Sequence, residues 1–269
     1  MLGIFDSGYG GLTVLRAIRS RLPEISTLYL GDNARAPYGV RDEETIFRYT
    51  LEGVRWLFEQ GCPLVVLACN TASAQALRRI QQEVMPSEFP DRRLLGVVRP
   101  LAEAAAESSG NGHFGVIGTK ATTEARAYTR EIVHLRPEAT VTEVAAPGLA
   151  GLIEAGREGG PEAEREIVTA LKELFARDAS VDSILLACTH FPLAHPLFEK
   201  HRLPGVRYLM QDEVVAEKLA DYLARHPEIA SRLDRTGFRR FTTTGDAAEV
   251  TSLATRFFGA VAEFERVTL

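Results

Sequence analysis

Two cysteines occupy positions at which chemistry is expected. Cys69 follows the apolar residues 64–68, Cys188 follows the mostly apolar residues 183–187, and polar residues come directly after each cysteine. Short apolar runs of this kind are typical of buried strands, and α/β proteins bind ligands at the carboxyl ends of parallel strands. Asn70 or Thr71 is placed to cap a helix over residues 71–80, and a helix N-terminus lowers the pKa of a thiol. We therefore predict two reactive thiols, each at the end of a strand.

Two thiols presented from opposite walls of a cleft suit proton transfer at a carbon atom. One thiolate removes a proton from one face of the carbon, and the other thiol returns a proton to the opposite face, which inverts the stereocentre. Each sulfur must then alternate between thiolate and thiol without bonding to the substrate. Asp6 is placed to tune Cys69, and His190 is placed to tune Cys188 from two residues away.

Other chemistries compete with this interpretation. Cys188 and His190 resemble the nucleophile and base of a cysteine hydrolase, although Pro192 argues against a strand that continues through both. A zinc site lacks the paired ligand spacing that such sites use. A further alternative is that both cysteines are only structural residues of the core, which the polar residues after them disfavour. A pyridoxal enzyme would depend on Lys120, which lacks suitable companions, and a non-catalytic binding module would not need both thiols.

The elements that must position the thiols alternate between strand and helix. This order predicts an α/β fold with mainly parallel sheets flanked by helices. Residues 3–7 resemble residues 115–119, and each of these segments is followed, after a similar length of chain, by a cysteine strand. We infer two similar lobes with the active-site cleft between them. A helix over residues 42–60 should stop at Gly61, and Cys62 should be a buried structural thiol.

Composition narrows the possible partners and compartments. The 269 residues are 45% hydrophobic and 25% charged, as in a soluble globular protein. The net charge is −5 without a basic block, which disfavours nucleic-acid and anionic-membrane binding. The apolar runs are too short to span a bilayer. Three cysteines without a secretory leader predict free thiols and a cytoplasmic location.

Four motifs in order now carry a resemblance to a known family. They lie at residues 3–8, residues 31–39, residues 68–72 and residues 188–193, and residues 242–246 match the closing segment. Together they resemble the glutamate racemases over nearly the whole chain. The resemblance implies cofactor-independent, metal-free, two-base racemisation that supplies D-glutamate for peptidoglycan. It also implies a first lobe of residues 1–97 plus 207–269, a second lobe of residues 98–206, and a homodimer.

The resemblance also implies roles for individual residues. Cys69 would act on the α-hydrogen of D-glutamate and Cys188 on that of L-glutamate, with Asp6, His190 and Glu154 assisting them. The residues implied to bind substrate share a place in or beside the four motifs: Asp6, Ser7, Pro37, Tyr38, Gly39, Asn70, Thr71, Thr119, Thr189 and His190. Ala187 and Phe191 depart from the usual Gly and Tyr of the family. A racemase of another acidic amino acid, chiefly aspartate, is the alternative, because one methylene changes binding by only about 1–3 kcal/mol.

Overall fold

The computed structural model describes residues 1–269 and has two parallel β-sheets flanked by helices. This confirms the predicted fold class. The strands are β1 Leu2–Asp6, β2 Thr27–Gly31, β3 Leu64–Leu67, β4 Arg93–Gly96, β5 His113–Gly118, β6 Thr140–Ala145, β7 Ser183–Ala187, β8 Arg207–Leu209, β9 Arg239–Thr243 and β10 Phe264–Arg266. The two cysteine strands, β3 and β7, are buried at every position. Continuous apolar sequence is expected there, because helices cover both faces of a parallel sheet.

The helices fill the connections between the strands. They are α1 Gly11–Arg21, α2 Glu43–Glu59, α3 Asn70–Gln75, α4 Leu77–Arg79, α5 Met85–Glu88, α6 Val98–Ser108, α7 Lys120–Glu124, α8 Ala127–Leu135, α9 Leu149–Glu154, α10 Pro161–Arg177, α11 His195–Lys200, α12 Gln211–Arg225, α13 Pro227–Ala230 and α14 Ala247–Phe258. Short 3₁₀ segments cover Asn33–Arg35, Tyr38–Val40 and Phe191–Ala194, and Ile80–Val84 is π-helical. None of the helices is both long and apolar enough to cross a membrane.

The two sheets repeat one topology. The first has the order β10-β9-β2-β1-β3-β4, and the second has the order β6-β5-β7-β8. The segment β2-β1-β3-β4 therefore corresponds to β6-β5-β7-β8, with every pair parallel. This confirms the prediction of two similar lobes. The strand order reverses between β1 and β3 in the first sheet and between β5 and β7 in the second. Ligands of open α/β sheets bind at such a switch point.

The boundary between the lobes needs one correction. Strand β8 pairs with β7, so Arg207–Leu209 belongs to the second sheet and not to the first lobe as predicted. The physical reason is that Ile184 and Leu185 of β7 have Tyr208 and Leu209 as register partners on their open edge. Helix α12 then packs against both α1 and α6, and so lies between the lobes. One apolar cluster extends from Leu12 in α1 to Leu174 in α10 without interruption.

The helix before the Cys69 strand matches its predicted limits. Asp42 is the N-cap of α2, since its carboxylate accepts a hydrogen bond from the Thr45 backbone N–H. Gly61 follows the C-cap with a φ of +86°, a left-handed conformation that glycine adopts without strain. Cys62 is free and fully buried at the entry to β3. The helix stop and the buried thiol are therefore both confirmed.

Candidate active site

The predicted catalytic side chains lie at the two switch points. Asp6 ends β1, and Cys69 comes two residues after the end of the neighbouring strand β3. In the second lobe Thr119 follows β5, and Cys188 follows the neighbouring strand β7. The same pair of strand ends therefore carries a thiol in each lobe. This arrangement comes from the shared topology and not from adjacency in sequence.

Cys69 caps the helix that follows it. Its Sγ accepts a hydrogen bond from the Ala72 backbone N–H at 3.4 Å and lies 3.3 Å from the Ser7 hydroxyl. We predicted Asn70 or Thr71 as the cap, and the structure assigns that place to Cys69 itself. The sulfur therefore meets the free N–H groups of α3, where negative charge is stabilised.

Burial nevertheless controls the acidity of this thiol. Cys69 is 5% exposed, and its burial, together with the charge on Asp6, raises its pKa to about 12. The hydrogen bonds from Ser7 and Ala72 oppose this shift and are outweighed. Our prediction of a lowered pKa is therefore wrong for Cys69. The reason is desolvation, which disfavours the thiolate more strongly than one short helix favours it.

Asp6 is a carboxyl group without contact with water. Its Oδ1 accepts a hydrogen bond from the Gly8 backbone N–H at 2.9 Å, and its Oδ2 is buried without a hydrogen-bond partner. Burial raises the pKa of Asp6, although the charge on His190 opposes the shift. A buried carboxyl with one unpaired oxygen holds its proton to a higher pH than an exposed carboxyl does.

Cys188 has a different set of partners. His190 Nδ1 lies 3.7 Å from Cys188 Sγ, and His190 Nε2 lies 2.8 Å from Glu154 Oε1. Burial would lower the pKa of His190, but the hydrogen bonds and negative charges of Cys188 and Glu154 raise it to about 10. The positive charge of the imidazolium thus stabilises negative charge on the Cys188 sulfur, and a negative sulfur stabilises the imidazolium. Glu154, which the family resemblance implies as an assisting residue, stands directly behind His190.

The glycines of the first turn admit the second lobe. A Cβ atom built on Gly10 would collide with the Thr189 hydroxyl and the His190 ring. A Cβ on Gly39 would lie 2.7 Å from the Thr119 Cβ, closer than side chains approach. A glycine-rich turn such as residues 6–11 is compatible in sequence with anion binding or with a simple tight turn. The structure shows a further reason for glycine, which is the close approach of the two lobes.

Hydroxyl groups also join the lobes beside the thiols. Thr71 of the first lobe shares hydrogen bonds with Thr119 at 3.0 Å and with Thr122 at 3.2 Å in the second. Thr13 donates to the Thr189 backbone carbonyl at 3.1 Å. Three predicted substrate-binding threonines, Thr71, Thr119 and Thr189, are therefore contact points between the lobes. Thr122 was missed, because nothing distinguishes it in sequence from other helix threonines.

Asn70 is held from two directions. Its Oδ1 accepts a hydrogen bond from the Tyr128 hydroxyl of α8, and its Nδ2 donates to Gln211 Oε1 at the start of α12. All three side chains are buried. Tyr128 and Gln211 were also missed, because their positions in sequence are 58 and 141 residues from Asn70. Only the fold brings them to it.

The predicted loop at Pro37, Tyr38 and Gly39 lies against the second lobe. The Tyr38 hydroxyl donates to Asp32, a fully buried carboxylate that also binds Arg35 at 2.7 Å. The Tyr38 ring is therefore an anchor of the loop, and its hydroxyl is already committed. Pro37 is exposed, and Gly39 is partly exposed beside Thr119.

A separate cavity lies between the lobes, away from the thiols. It has a volume of about 400 Å³ and is lined by residues of α4, α6, α8 and α12, including Arg78, Arg99, Lys218 and Tyr222. Neither cysteine borders it. Its basic side chains are partly neutralised by pairing, as in the contact between Arg78 and Glu131 at 3.2 Å. No group of three or more His, Cys, Asp or Glu side chains is arranged to hold a metal ion.

Comparison with known families agrees with this geometry. Residues 12–211 match the family described as Asp/Glu/Hydantoin racemase. The fold and this family match thus define the protein as an amino-acid racemase. A protein from Cereibacter sphaeroides named glutamate racemase is 43% identical over 275 aligned residues, which cover 98% of each chain. The chain therefore belongs to the glutamate racemase family.

Solved structures support the same assignment. A glutamate racemase isoform from Bacillus anthracis is 32% identical, has a TM-score of 0.91, and is matched over 100% of this chain and 97% of its own. A glutamate racemase from Francisella tularensis in complex with D-glutamate is 26% identical with a TM-score of 0.87, over 99% and 97% of the chains. An aspartate racemase homologue from Pyrococcus horikoshii is 16% identical with a TM-score of 0.52 over 83% of this chain and 98% of its own, a likeness of fold alone.

Proposed function

We propose that Cys69 and Cys188 are the two acid–base groups with which this racemase interconverts L- and D-glutamate. The observation that carries the proposal is the equivalent placement of one thiol at the switch point of each lobe. Two sulfurs that face one cleft from different lobes can reach opposite faces of one carbon. Glutamate is the substrate that the names of the relatives state, and a related protein binds D-glutamate. No step of the proposal uses a cofactor or a metal.

The environments of the two thiols suggest how each direction begins. The raised pKa of Cys69 keeps it a neutral thiol that is ready to donate a proton. The imidazolium of His190 lies beside Cys188 and stabilises negative charge on its sulfur. In the L-to-D direction, Cys188 removes the α-proton while Cys69 returns a proton to the other face. The roles are exchanged in the D-to-L direction, because the enzyme must use the same path in reverse.

The substrate carboxylates need hydrogen-bond donors. We place the α-carboxylate against the backbone and side chains of Asn70, Thr71 and Thr189, beside the N-terminus of α3. The side-chain carboxylate then reaches Ser7 and the loop that contains Pro37, Tyr38 and Gly39. Thr119, Asp6 and His190 border the same cleft. These placements rest on motif position and on the cross-lobe contacts of the hydroxyl groups. A structure with glutamate bound elsewhere would refute them.

Isotope incorporation tests the two-base proposal directly. L-glutamate is incubated with the enzyme in D₂O, and the reaction is stopped early. The D-glutamate formed should carry deuterium at Cα, because the acid that returns the proton exchanges with solvent between turnovers. The remaining L-glutamate should carry almost none. A single base that serves both faces would place deuterium in the recovered substrate as readily as in the product, and that result would exclude two separate bases.

The same assay separates glutamate from the alternative substrate. Aspartate is one methylene shorter, and such a difference contributes only about 1–3 kcal/mol to discrimination. We expect kcat/KM for glutamate to exceed that for aspartate by roughly 10- to 200-fold on this basis. Chiral chromatography with each L-amino acid measures both values. A preference for aspartate would overturn the substrate assignment and leave the two-thiol chemistry in place.

The biological setting follows from the product. We propose that the D-glutamate supplies peptidoglycan synthesis, and thereby cell-wall formation and cell shape, in the cytoplasm. We also propose a homodimer, as the family resemblance implies. Sedimentation equilibrium at several protein concentrations tests the dimer, and a single species of monomer mass would overturn it.

A further inference from the structure

Arg256 of the first lobe reaches into the second lobe. It lies in α14, which packs against β9 and β10 of the first sheet. Its Nη2 donates to the Ile153 carbonyl at 3.0 Å, and its Nη1 donates to the Glu154 carbonyl at 3.2 Å. Ile153 and Glu154 are the last two residues of α9 in the second lobe. The last carbonyls of a helix lack partners within the helix, so Arg256 caps α9 from the other lobe.

An ion pair fixes the guanidinium in this position. Arg256 Nη2 also lies 2.8 Å and 2.7 Å from the two carboxylate oxygens of Glu158, just beyond the end of α9. Both side chains of the pair are partly buried, with 30% and 28% of their surface exposed. The neighbouring Phe257 places its ring edge-on against His190, with the centroids 5.4 Å apart. The planar fork of arginine suits several simultaneous acceptors, which the compact ammonium of lysine does not.

The residue that Arg256 caps is the one behind His190. Glu154 uses its backbone carbonyl for Arg256 and its side chain for His190, whose other nitrogen faces Cys188. Arg256 contacts neither sulfur. A change in the end of α9 would move the Glu154 carboxylate, which lies beside the Gly8 turn of the first lobe. The guanidinium thus links the first lobe to the Glu154–His190 pair, which supports Cys188 and not Cys69.

We propose that Arg256 is a positioning residue that sets the Cys188 base by holding the end of α9 from the first lobe. This inference rests on the proposed function, in which Cys188 and Cys69 each act on one enantiomer. A purely structural role predicts primary isotope effects that change alike for the two enantiomers, whereas kcat/KM must change equally in both directions for any role, because the enantiomers have equal free energy. A role in positioning predicts effects on the Cys188 proton transfer alone.

The test uses Arg256→Met and measures primary deuterium isotope effects on kcat/KM for both α-deuterated enantiomers. Turnover should fall by roughly 5- to 30-fold, the factor that one or two lost hydrogen bonds represent. The isotope effect should rise for the enantiomer that Cys188 deprotonates, because that step becomes more limiting. It should fall for the enantiomer that Cys69 deprotonates. Glu154→Gln should move both isotope effects in the same directions.

Matched variants make the test decisive. Arg19→Met removes another first-lobe arginine, which lies over Phe258 of the same helix, and should leave both isotope effects unchanged. Glu158→Gln keeps the two carbonyl contacts but weakens the ion pair that holds Arg256, so it should shift both isotope effects in the same directions as Arg256→Met by a smaller amount. A shift as large as that of Arg256→Met would overturn the assignment to the end of α9. If Arg256→Met does not fold, Arg256→Lys should show the same shifts at smaller size.

The outcomes separate this inference from the proposed function. If the wild-type enzyme does not racemise glutamate, or if racemisation survives serine at either cysteine, the proposed function is wrong. If both cysteines are required and the arginine variants move the two isotope effects together or not at all, only the role of Arg256 is wrong. Thermal unfolding of each variant shows whether a loss of turnover has a stability component.

Discussion

The Cys69 half and the Cys188 half of the cleft share a topology and differ in electrostatics. Each thiol follows the third strand of a β2-β1-β3-β4 unit or its equivalent. Cys69 has neutral hydrogen-bond donors and a buried carboxyl as neighbours, whereas Cys188 has an imidazole that a glutamate supports. A repeated fold thus places two like groups symmetrically, and the surrounding side chains make them chemically unequal. A racemase needs one acid–base group on each face of the α-carbon, since the enantiomers are mirror images. The two groups need not be identical.

Removing either thiol should have the largest effect. We expect Cys69→Ser and Cys188→Ser each to reduce racemisation by about 100-fold or more, because a general acid or base contributes about 10²–10⁴ to the rate and an alcohol does not ionise near neutral pH. Chiral chromatography measures the rate. Cys62→Ala is the matched control, since this buried thiol lies at the opposite end of β3 and should be dispensable for turnover. Substantial activity in either serine variant would show that this thiol is not required, and would contradict the proposal that both halves supply an acid–base group.

Separating the halves should have the next largest effect. A methyl group at Gly10 would collide with Thr189 and His190 of the other lobe, where no flexible side-chain end can yield. We expect Gly10→Ala to reduce kcat/KM by roughly tenfold or more, since an overpacked contact costs typically about 1–3 kcal/mol. Gly151→Ala is the control, because the site within α9 is open and alanine favours the helix. Equal activity in both variants would show that the close approach of the lobes is not needed for turnover.

The His190–Glu154 pair should make the free energy of unfolding fall as the pH becomes alkaline. The pKa of His190 is raised from 6.5 to about 10, so the folded state holds this proton more tightly than the unfolded state. The resulting stabilisation is complete below pH 6.5 and is lost as the pH rises through about 10. Glu154→Gln should reduce this loss, because Glu154 is one cause of the raised pKa. Urea unfolding at several pH values between 6 and 10.5 measures it, and parallel curves for both proteins would contradict the assignment.

Changing Asp6 in the Cys69 half should have the smallest effect. Ionisation of Asp6 destabilises the folded state, whereas the charge on His190 stabilises it. Because burial raises the pKa of Asp6, ionisation above its usual pKa of 3.8 penalises the folded state. Asp6→Asn keeps an oxygen for the Gly8 N–H and should raise the free energy of unfolding at pH 7 by about 1 kcal/mol. Turnover should fall at the same time, since the carboxyl is proposed to serve Cys69. A less stable variant would show that the carboxylate is satisfied in the folded state.

Local patterns in the chain were enough for much of the fold. Apolar runs followed by polar residues located the cysteine strands, and the end of α2 followed from Gly61. Prediction failed where burial or long-range pairing decided. Residues 207–209 joined the second sheet through an edge of β7, and the pKa of Cys69 rose because the folded chain removed water from it. Neither effect has a signal within a few residues of the position concerned.

The sequence by itself determined the class of fold, the repeated unit, and the identities of Cys69, Cys188, Asp6 and His190 as candidates, because each depends on residue type and short-range spacing. Only the tertiary structure decided how the two thiols differ, and which residues support them. Glu154 meets His190 across 36 residues, and Arg256 meets Glu154 across 102. The physical reason is that desolvation, charge pairing and the approach of the lobes depend on atoms brought together in space, and chain distance carries no information about them.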